Sequence, residues 1–173
     1  GKRINFSIMY GLTAYGLSRD LDIKLGQAKE YIEAYFAQYP RVGSWMDEVV
    51  DQAKKDGYVQ TVFGRRRYIP ELLERNKTLF EAARRIAINT PVQGTSADIM
   101  KIAMIRIEDR LKALGLDARI LLQIHDELLI EYKSELTTEV SAVVRACMEE
   151  VVSWKVPLKV AIRTGLNWGE VTK

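Results

Sequence analysis

The chain is poor in the residues that most often announce chemistry. Its 173 residues include one cysteine, Cys147, and one histidine, His125. A single cysteine excludes an intramolecular disulfide and suits a reducing compartment. Cys147 lies among apolar helix positions, where buried packing is its expected role. A single histidine excludes most zinc signatures, the two-histidine helix motif among them. There is no Walker-type phosphate loop and no paired glycine-rich fingerprint. No apolar run approaches the ~20 residues of a membrane span, and no signal-peptide pattern occurs. Internal repeats, low-complexity tracts and flexible linkers are also missing. A dominant charge sign is lacking as well: 26 Lys and Arg stand against 23 acids, a net +3. That balance is too mild to argue for a polyanionic partner unless the cations cluster.

What is present is a core. At 47% hydrophobic, the chain can build one domain or a lobe of a larger one. It is organised around Gln123-Ile124-His125-Asp126-Glu127-Leu128, flanked by Ile120, Leu121 and Leu122 and by Leu129 and Ile130. Short branched runs on either side of a polar pair read as two strands with a tight connection. A carboxylate there stands at the rim of a sheet, held by rigid strands, although acids are also ordinary turn residues.

Helical periods account for most of the rest. Lys2, Phe6 and Tyr10 are spaced to share one helix face before Gly11, either as aromatic core with a solvated lysine or as a nucleotide site. Ala28, Tyr31, Ile32, Tyr35, Phe36 and Tyr39 form a stripe stopped by Pro40, and Val42 to Ala53 form a second one stopped by Gly57. Tyr58 to Phe63 reads as a strand, Gly64 as a turn, and Arg65 to Ile69 as a half-buried return strand ended by Pro70. Its three arginines are either a solvated edge that resists further pairing or a phosphate-contacting edge. Thr78 to Leu114 is helical but interrupted at Pro91 and Gly94. Asn89 and Gln93 in that interruption suit contacts to a nucleic-acid groove, or else satisfy backbone groups that Pro91 leaves unpaired. Ser134 reads as the N-cap of a further helix through Val151, and Leu158, Val160 and Ile162 alternate as a last strand. Helices plus a small antiparallel sheet, without βαβ alternation, make the expected class α+β.

His125 and Asp126 are adjacent, so in extended chain their side chains diverge and make no hydrolytic triad. Mg²⁺ chemistry remains for the acids, because this ion takes one or two protein carboxylates and completes its shell with water and phosphates. In-line nucleotidyl transfer often uses two such ions about 4 Å apart. Asp126 can supply one bridging carboxylate, with Glu127 a weaker ligand or a supporting group. Asp98 and Asp109 lie within the helical pattern, so a second comparable aspartate is missing.

Four stretches then resemble, in order, motifs of the family A DNA polymerases: Lys2-Arg3-Ile4-Asn5-Phe6-Ser7-Ile8-Met9-Tyr10-Gly11, Phe63-Gly64-Arg65-Arg66-Arg67-Tyr68-Ile69-Pro70, Asn89-Thr90-Pro91-Val92-Gln93-Gly94-Thr95 and Gln123-Ile124-His125-Asp126-Glu127. The resemblance implies part of the fingers in residues 1–40 and the C-terminal part of the palm in residues 41–173. It implies that Lys2 binds the incoming triphosphate and assists as a general acid, and that Phe6 stacks near sugar and base. Tyr10 and Gly11 would lie at the templating position. Arg85, Asn89 and Gln93 would contact primer and template, the Arg65–Arg67 turn the duplex, and His125 the primer terminus. Asp126 would bind two Mg²⁺ ions, supported by Glu127. Ser7 departs from the glycine usual after Asn-Phe.

The family's other metal-binding aspartate would lie upstream of Gly1. The expected entity is therefore the C-terminal part of a DNA-directed DNA polymerase, inactive alone. Its expected partners are primer–template DNA, dNTP and an upstream segment or second chain, with no membrane. The expected setting is cytoplasmic and nucleoid-associated, or viral in origin, and not secreted. Replication or repair is the implied role. A non-catalytic nucleic-acid-binding module is the alternative, and a Mg²⁺ nuclease is disfavoured by its single good carboxylate.

Overall fold

The computed structural model describes residues 2–171, without the side chains of Lys2, Arg3 and Phe6. It divides by packing into two compact units, with the boundary between Thr95 and Ser96. This differs from the 40/41 boundary expected between fingers and palm, a functional division rather than one of packing.

The first unit opens with α1, Lys2–Met9. The helix stops one residue short of Tyr10 because Gly11, at φ 72°, reverses the chain. The Gly11 and Leu12 amides donate to the Ile8 and Ser7 carbonyls at 2.9 and 3.0 Å. This paired closure is the one a left-handed residue after a helix permits. The next helix, α2 at Ala14–Leu21, was not legible as a stripe, since it is short and has Gly16 inside it. It is set by its ends: the Thr13 hydroxyl accepts from the Gly16 amide, and Asp22 takes a left-handed φ of 53°. Then come α3, Leu25–Gln38, and α4, Pro40–Asp56. Pro40 ends one pattern and begins the next, because a first-turn position has no use for the missing amide hydrogen. Gly57 closes α4 with φ 78°.

Two short strands follow, β1 at Tyr58–Gln60 and β2 at Arg66–Tyr68, paired antiparallel. The strand expected through Phe63 ends early because Thr61 to Arg65 folds back on itself. The Thr61 amide donates to the Arg65 carbonyl at 3.0 Å and the Gly64 amide to the Thr61 carbonyl at 2.9 Å, with Gly64 at φ 82°. Nor is the return strand half-buried, since Arg66, Arg67 and Tyr68 are all exposed. A 3₁₀ turn, Pro70–Leu73, leads to α5, Lys77–Asn89, whose first amides are capped by the Asn76 side chain. The core joins Met46, Val50 and Ala53 of α4 with Val59, Ile69 and Leu72 and with Ala83, Ala87 and Ile88 of α5.

At Thr90–Gly94 the backbone takes a π-turn, and α6, Thr95–Ala113, begins there. In the second unit Gly115, at φ 64°, closes α6, and β3, Ala118–Ile124, pairs antiparallel with β4, Glu127–Tyr132. Ser134 is not an N-cap: it opens a 3₁₀ turn, Ser134–Leu136, that feeds α7, Thr137–Glu149. Ile107 and Leu111 of α6 pack with Val140 and Val144 of α7, under Ile120, Leu128 and Ile130 of the hairpin.

The strand expected at Leu158–Ile162 does not form. The alternation is real, with Leu158, Val160 and Ile162 half-buried between exposed neighbours, but no ladder partner lies beside it among the described residues. Side chains of α7 serve instead: Arg145 donates to the Val160 carbonyl at 2.8 Å, and the Val160 amide donates to Glu149 Oε1 at 2.9 Å. A four-residue helix, α8 at Trp168–Val171, ends the described chain. The class is α+β, with the β structure in two separate hairpins rather than in one small sheet.

Cys147 is half-buried against the second core, as its position implied. Burial pushes its thiol pKa up, outweighing the pull of Arg110 and Arg106. A raised pKa leaves less thiolate at neutral pH. Iodoacetamide should therefore label Cys147 more slowly than it labels the denatured chain, by a margin that mass spectrometry sees shrink as pH rises. Ile107, fully buried, should cost about 2–5 kcal/mol when changed to Ala, read as a lower denaturant midpoint for the second unit's transition.

Candidate nucleotide and nucleic-acid site

The candidate residues fall into two groups, one in each unit. In the first unit the reversal at Gly11 is a point of close approach. A Cβ built there would lie 3.4 Å from Arg85 Cγ and 3.6 Å from Ile88 Cδ1. Asn89, one turn beyond Arg85 on α5, donates from Nδ2 to the Tyr10 carbonyl at 3.4 Å. Tyr10, Gly11, Arg85 and Asn89 are thus brought together, with the Tyr10 ring and Arg85 exposed at the surface. Asn89 Oδ1 is buried and has no hydrogen-bond partner among the described residues. Buried amide oxygens are ordinarily paired, so this one is a marked feature of the site. The expectations for Lys2 and Phe6 concern side chains outside the described residues; their backbone lies in α1.

Gln93 is exposed on the π-turn that follows Asn89. Among the described residues neither amide fills the gap left by Pro91, which was one of the two readings of these residues. The Thr90 hydroxyl donates to the Ile86 carbonyl at 2.7 Å, and the Thr95 hydroxyl donates to the Pro91 carbonyl. The threonines that flank the motif therefore support the backbone there.

The three arginines have separate surroundings. Arg65 donates from Nη2 to the Gly94 carbonyl at 3.0 Å, tying the β1–β2 turn to the π-turn. Arg66 lies over the Tyr58 ring, its Cζ 4.4 Å from the centroid, as a cation–π pair. Arg67 is paired in register with Val59 and exposed. The buried hydroxyls of Thr61 and Thr95 in this region carried no signal in apolar periodicity. The sign that could have found them is a Thr on each side of two glycine-containing turns.

In the second unit His125 and Asp126 form the two-residue connection between β3 and β4. His125 takes a positive φ of 55°, rare for a residue with a Cβ. Its carbonyl accepts from Gln123 Nε2 at 3.2 Å, which holds the turn from within the hairpin. Ile124 pairs with Glu127, so the ladder runs to the very edge of the turn. A bulge at Leu121 shifts the register between Ile120 and Leu122. Bulges re-aim the side chains beyond them; here Gln123 comes opposite Leu128, and Leu121 and Leu122 are left exposed.

His125, Asp126 and Glu127 are all exposed. Neither acid makes a hydrogen bond or ion pair among the described residues, although the nearby Glu131 pairs with Arg119. No group of three or more His, Cys, Asp or Glu among the described residues is placed to hold a metal ion by itself. An exposed carboxylate on the turn and a second at the first residue of β4 nonetheless suit a hard divalent cation that draws its remaining ligands from water and phosphate. No helix among the described residues is long and apolar enough to cross a membrane.

The sequence model of DNA polymerase family A matches residues 1–170. Among curated relatives, DNA polymerase I of Deinococcus radiodurans is 47% identical over 167 residues, covering 96% of this chain and 17% of the relative. The thermostable DNA polymerase I of Thermus thermophilus is 45% identical over 96% of this chain and 20% of its own length. A solved structure described as the POL domain of Pol1 from M. smegmatis, in complex with DNA primer-template and dNTP, superposes with a TM-score of 0.96 at 44% identity. It covers 99% of this chain and 30% of that one. The chain spans about a fifth of the length of these curated relatives. By these matches, the chain belongs to DNA polymerase family A.

Proposed function

We propose that this chain is the C-terminal part of a DNA-directed DNA polymerase domain, with residues 1–40 belonging to the fingers and 41–173 to the palm. Its reaction is template-directed nucleotidyl transfer. The primer 3′ hydroxyl oxygen attacks the α-phosphorus of a dNTP and gives up its proton. A P–O bond to the β-phosphate breaks, and pyrophosphate leaves. The observation that carries this reading is the His125–Asp126 turn, with the exposed and uncommitted acids Asp126 and Glu127, in a chain of this family. The M. smegmatis relative, solved with primer-template and dNTP, supports DNA and dNTP as partners.

In this reading Asp126 would hold the catalytic Mg²⁺ ions, Glu127 would support it, and His125 borders the primer terminus. Two bound Mg²⁺ ions would stabilise the attacking and leaving oxygens of an in-line displacement. Lys2 binds the triphosphate as a point charge and donates a proton toward departing pyrophosphate, while Phe6 and Tyr10 take the sugar and the base. Gly11, Arg85, Asn89 and Gln93 receive primer and template, and Arg65, Arg66 and Arg67 line the duplex. An upstream segment or second chain contributes the other metal-binding aspartate, so the isolated chain does not turn over. Replication or repair in the cytoplasm, at the nucleoid, is the setting that follows.

The test is a chimaera in which this chain replaces the matching 167 residues of the Deinococcus radiodurans relative. With Mg²⁺ and dNTPs it should extend a primer. Asp126→Ala should abolish extension while leaving primer–template binding as tight as in the parent. A folded chimaera that binds the duplex without extending it would favour a non-catalytic binding module. Extension by the isolated chain would sink the upstream requirement, and degradation of labelled DNA without dNTPs would point to a nuclease.

A further inference from the structure

The π-turn at Thr90–Gly94 is held from outside, by the turn between β1 and β2. Thr95 is 5% exposed and Thr61 is 3% exposed, and both hydroxyls are engaged. Thr95 Oγ1 donates to the Pro91 carbonyl and accepts from the Val62 amide at 3.0 Å. Thr61 Oγ1 accepts from the Arg65 amide at 3.2 Å, bracing its own turn. Arg65 then reaches back, donating to the Gly94 carbonyl at 3.0 Å. At Gly94 a Cβ would fall 2.8 Å from Thr61 Cγ2, closer than such atoms approach, so the two turns pack at a distance only glycine allows. The joined residues lie 33 and 29 positions apart in sequence.

A π-turn is rare, usually one turn long, and frequent at functional sites. It accommodates one residue more than an α-turn. If it relaxed to α, the residue after Val92 would swing by about 100° around the helix axis relative to Asn89. That residue is the exposed Gln93.

We propose that Thr95 and Arg65 are positioning residues: they clamp the π-turn against the β1–β2 turn and so fix the direction in which Gln93 meets nucleic acid. This rests on the reading above that Gln93 contacts primer and template. It also changes the part played by Arg65, which acts through the Gly94 carbonyl, leaving Arg66 and Arg67 of β2 as the cations that face the duplex.

The experiment uses the 173-residue chain, a primer–template duplex, and a mutant cycle read by fluorescence anisotropy. Thr95→Val keeps the shape and removes the hydroxyl; Thr95→Ser restores it. Thr95→Val should weaken duplex binding about tenfold, the size of one good side-chain contact to a base. Gln93→Ala should cost a similar factor, and the double variant should cost no more than either alone. Thr95→Ser should bind like the parent. Arg65→Lys keeps the charge, alters an exposed residue and loses the reach to Gly94, so it carries the test should Thr95→Val fail to fold; it too should be non-additive with Gln93→Ala.

Losses that add in full to that of Gln93→Ala, or no loss at all, would overturn the clamp. If the parent chain does not bind the duplex, the proposed function is what fails. The clamp is then judged by NMR: Thr95→Val must shift the Gln93 side-chain amide and speed exchange of the Val62 amide, and Thr95→Ser must do neither. Unmoved Gln93 resonances would overturn it.

Discussion

Pro91 has no amide hydrogen to offer the helix it sits in, and much of the first unit is arranged around that missing bond. In an uninterrupted α-helix its ring would also press on the carbonyl four residues back. The chain answers by widening into a π-turn at Thr90–Gly94 and by placing a threonine on each side of the proline. One hydroxyl donates to Ile86 and the other to Pro91 itself. Gly94 follows because Thr61 leaves no room for a Cβ, and Arg65 follows because the Gly94 carbonyl is turned toward it. The candidate amides lie at this irregularity, Asn89 just before it and Gln93 within it. A regular helix would have given those two side chains a different mutual angle.

The second unit shows a related constraint at its hairpin. Two-residue connections favour positive φ and hence glycine, asparagine or aspartate at the first position. Here His125 occupies it, and Asp126 comes second. Strain of this kind persists when the surroundings over-determine it. The ladder closes on the turn at Ile124 and Glu127, and Gln123 holds the His125 carbonyl. The bulge at Leu121 then lets the far end of the hairpin keep Ile120 and Ile130 in the core while the near end presents its acids to solvent. Packing and display are separated along the same two strands.

Much of this was legible in the sequence where periodicity was strong. The stripes of α3, α4, α6 and α7 were readable because apolar residues at helical spacing leave few alternatives. The stops at Gly11, Gly57 and Gly115 were readable because a left-handed residue is where helices end. The second hairpin was readable from its flanking branched residues. What was not readable depended on partners distant in sequence. The β1 strand ends at Gln60 because the Thr61 and Arg65 backbones bond to each other. The alternation at Leu158–Ile162 is that of a strand, but alternation specifies a half-buried surface, not the neighbour whose ladder makes it a strand. Arg145 and Glu149 give Val160 the two bonds a neighbour would have given, and no local pattern foretells that. Ser134 failed as a cap for a smaller reason: the 3₁₀ turn it opens delays the helix to Thr137.

The candidate site was legible as residue types and less so as an arrangement. Three arginines in a row read as a basic edge, either solvated or phosphate-contacting, and each has different surroundings: a carbonyl for Arg65, an aromatic ring for Arg66, and solvent for Arg67. A cation already bonded to its own chain's backbone is poorer at binding phosphate, because that bond must be broken or shared first. Electrostatic attraction to DNA accumulates over many weak contacts and tolerates the loss of one. Directional recognition does not tolerate it, since one amide turned out of line forfeits its hydrogen bond. Spending one arginine to hold the backbone beneath Gln93 therefore exchanges a replaceable charge for a fixed angle. That exchange makes physical sense where a contact has to be directional rather than merely attractive.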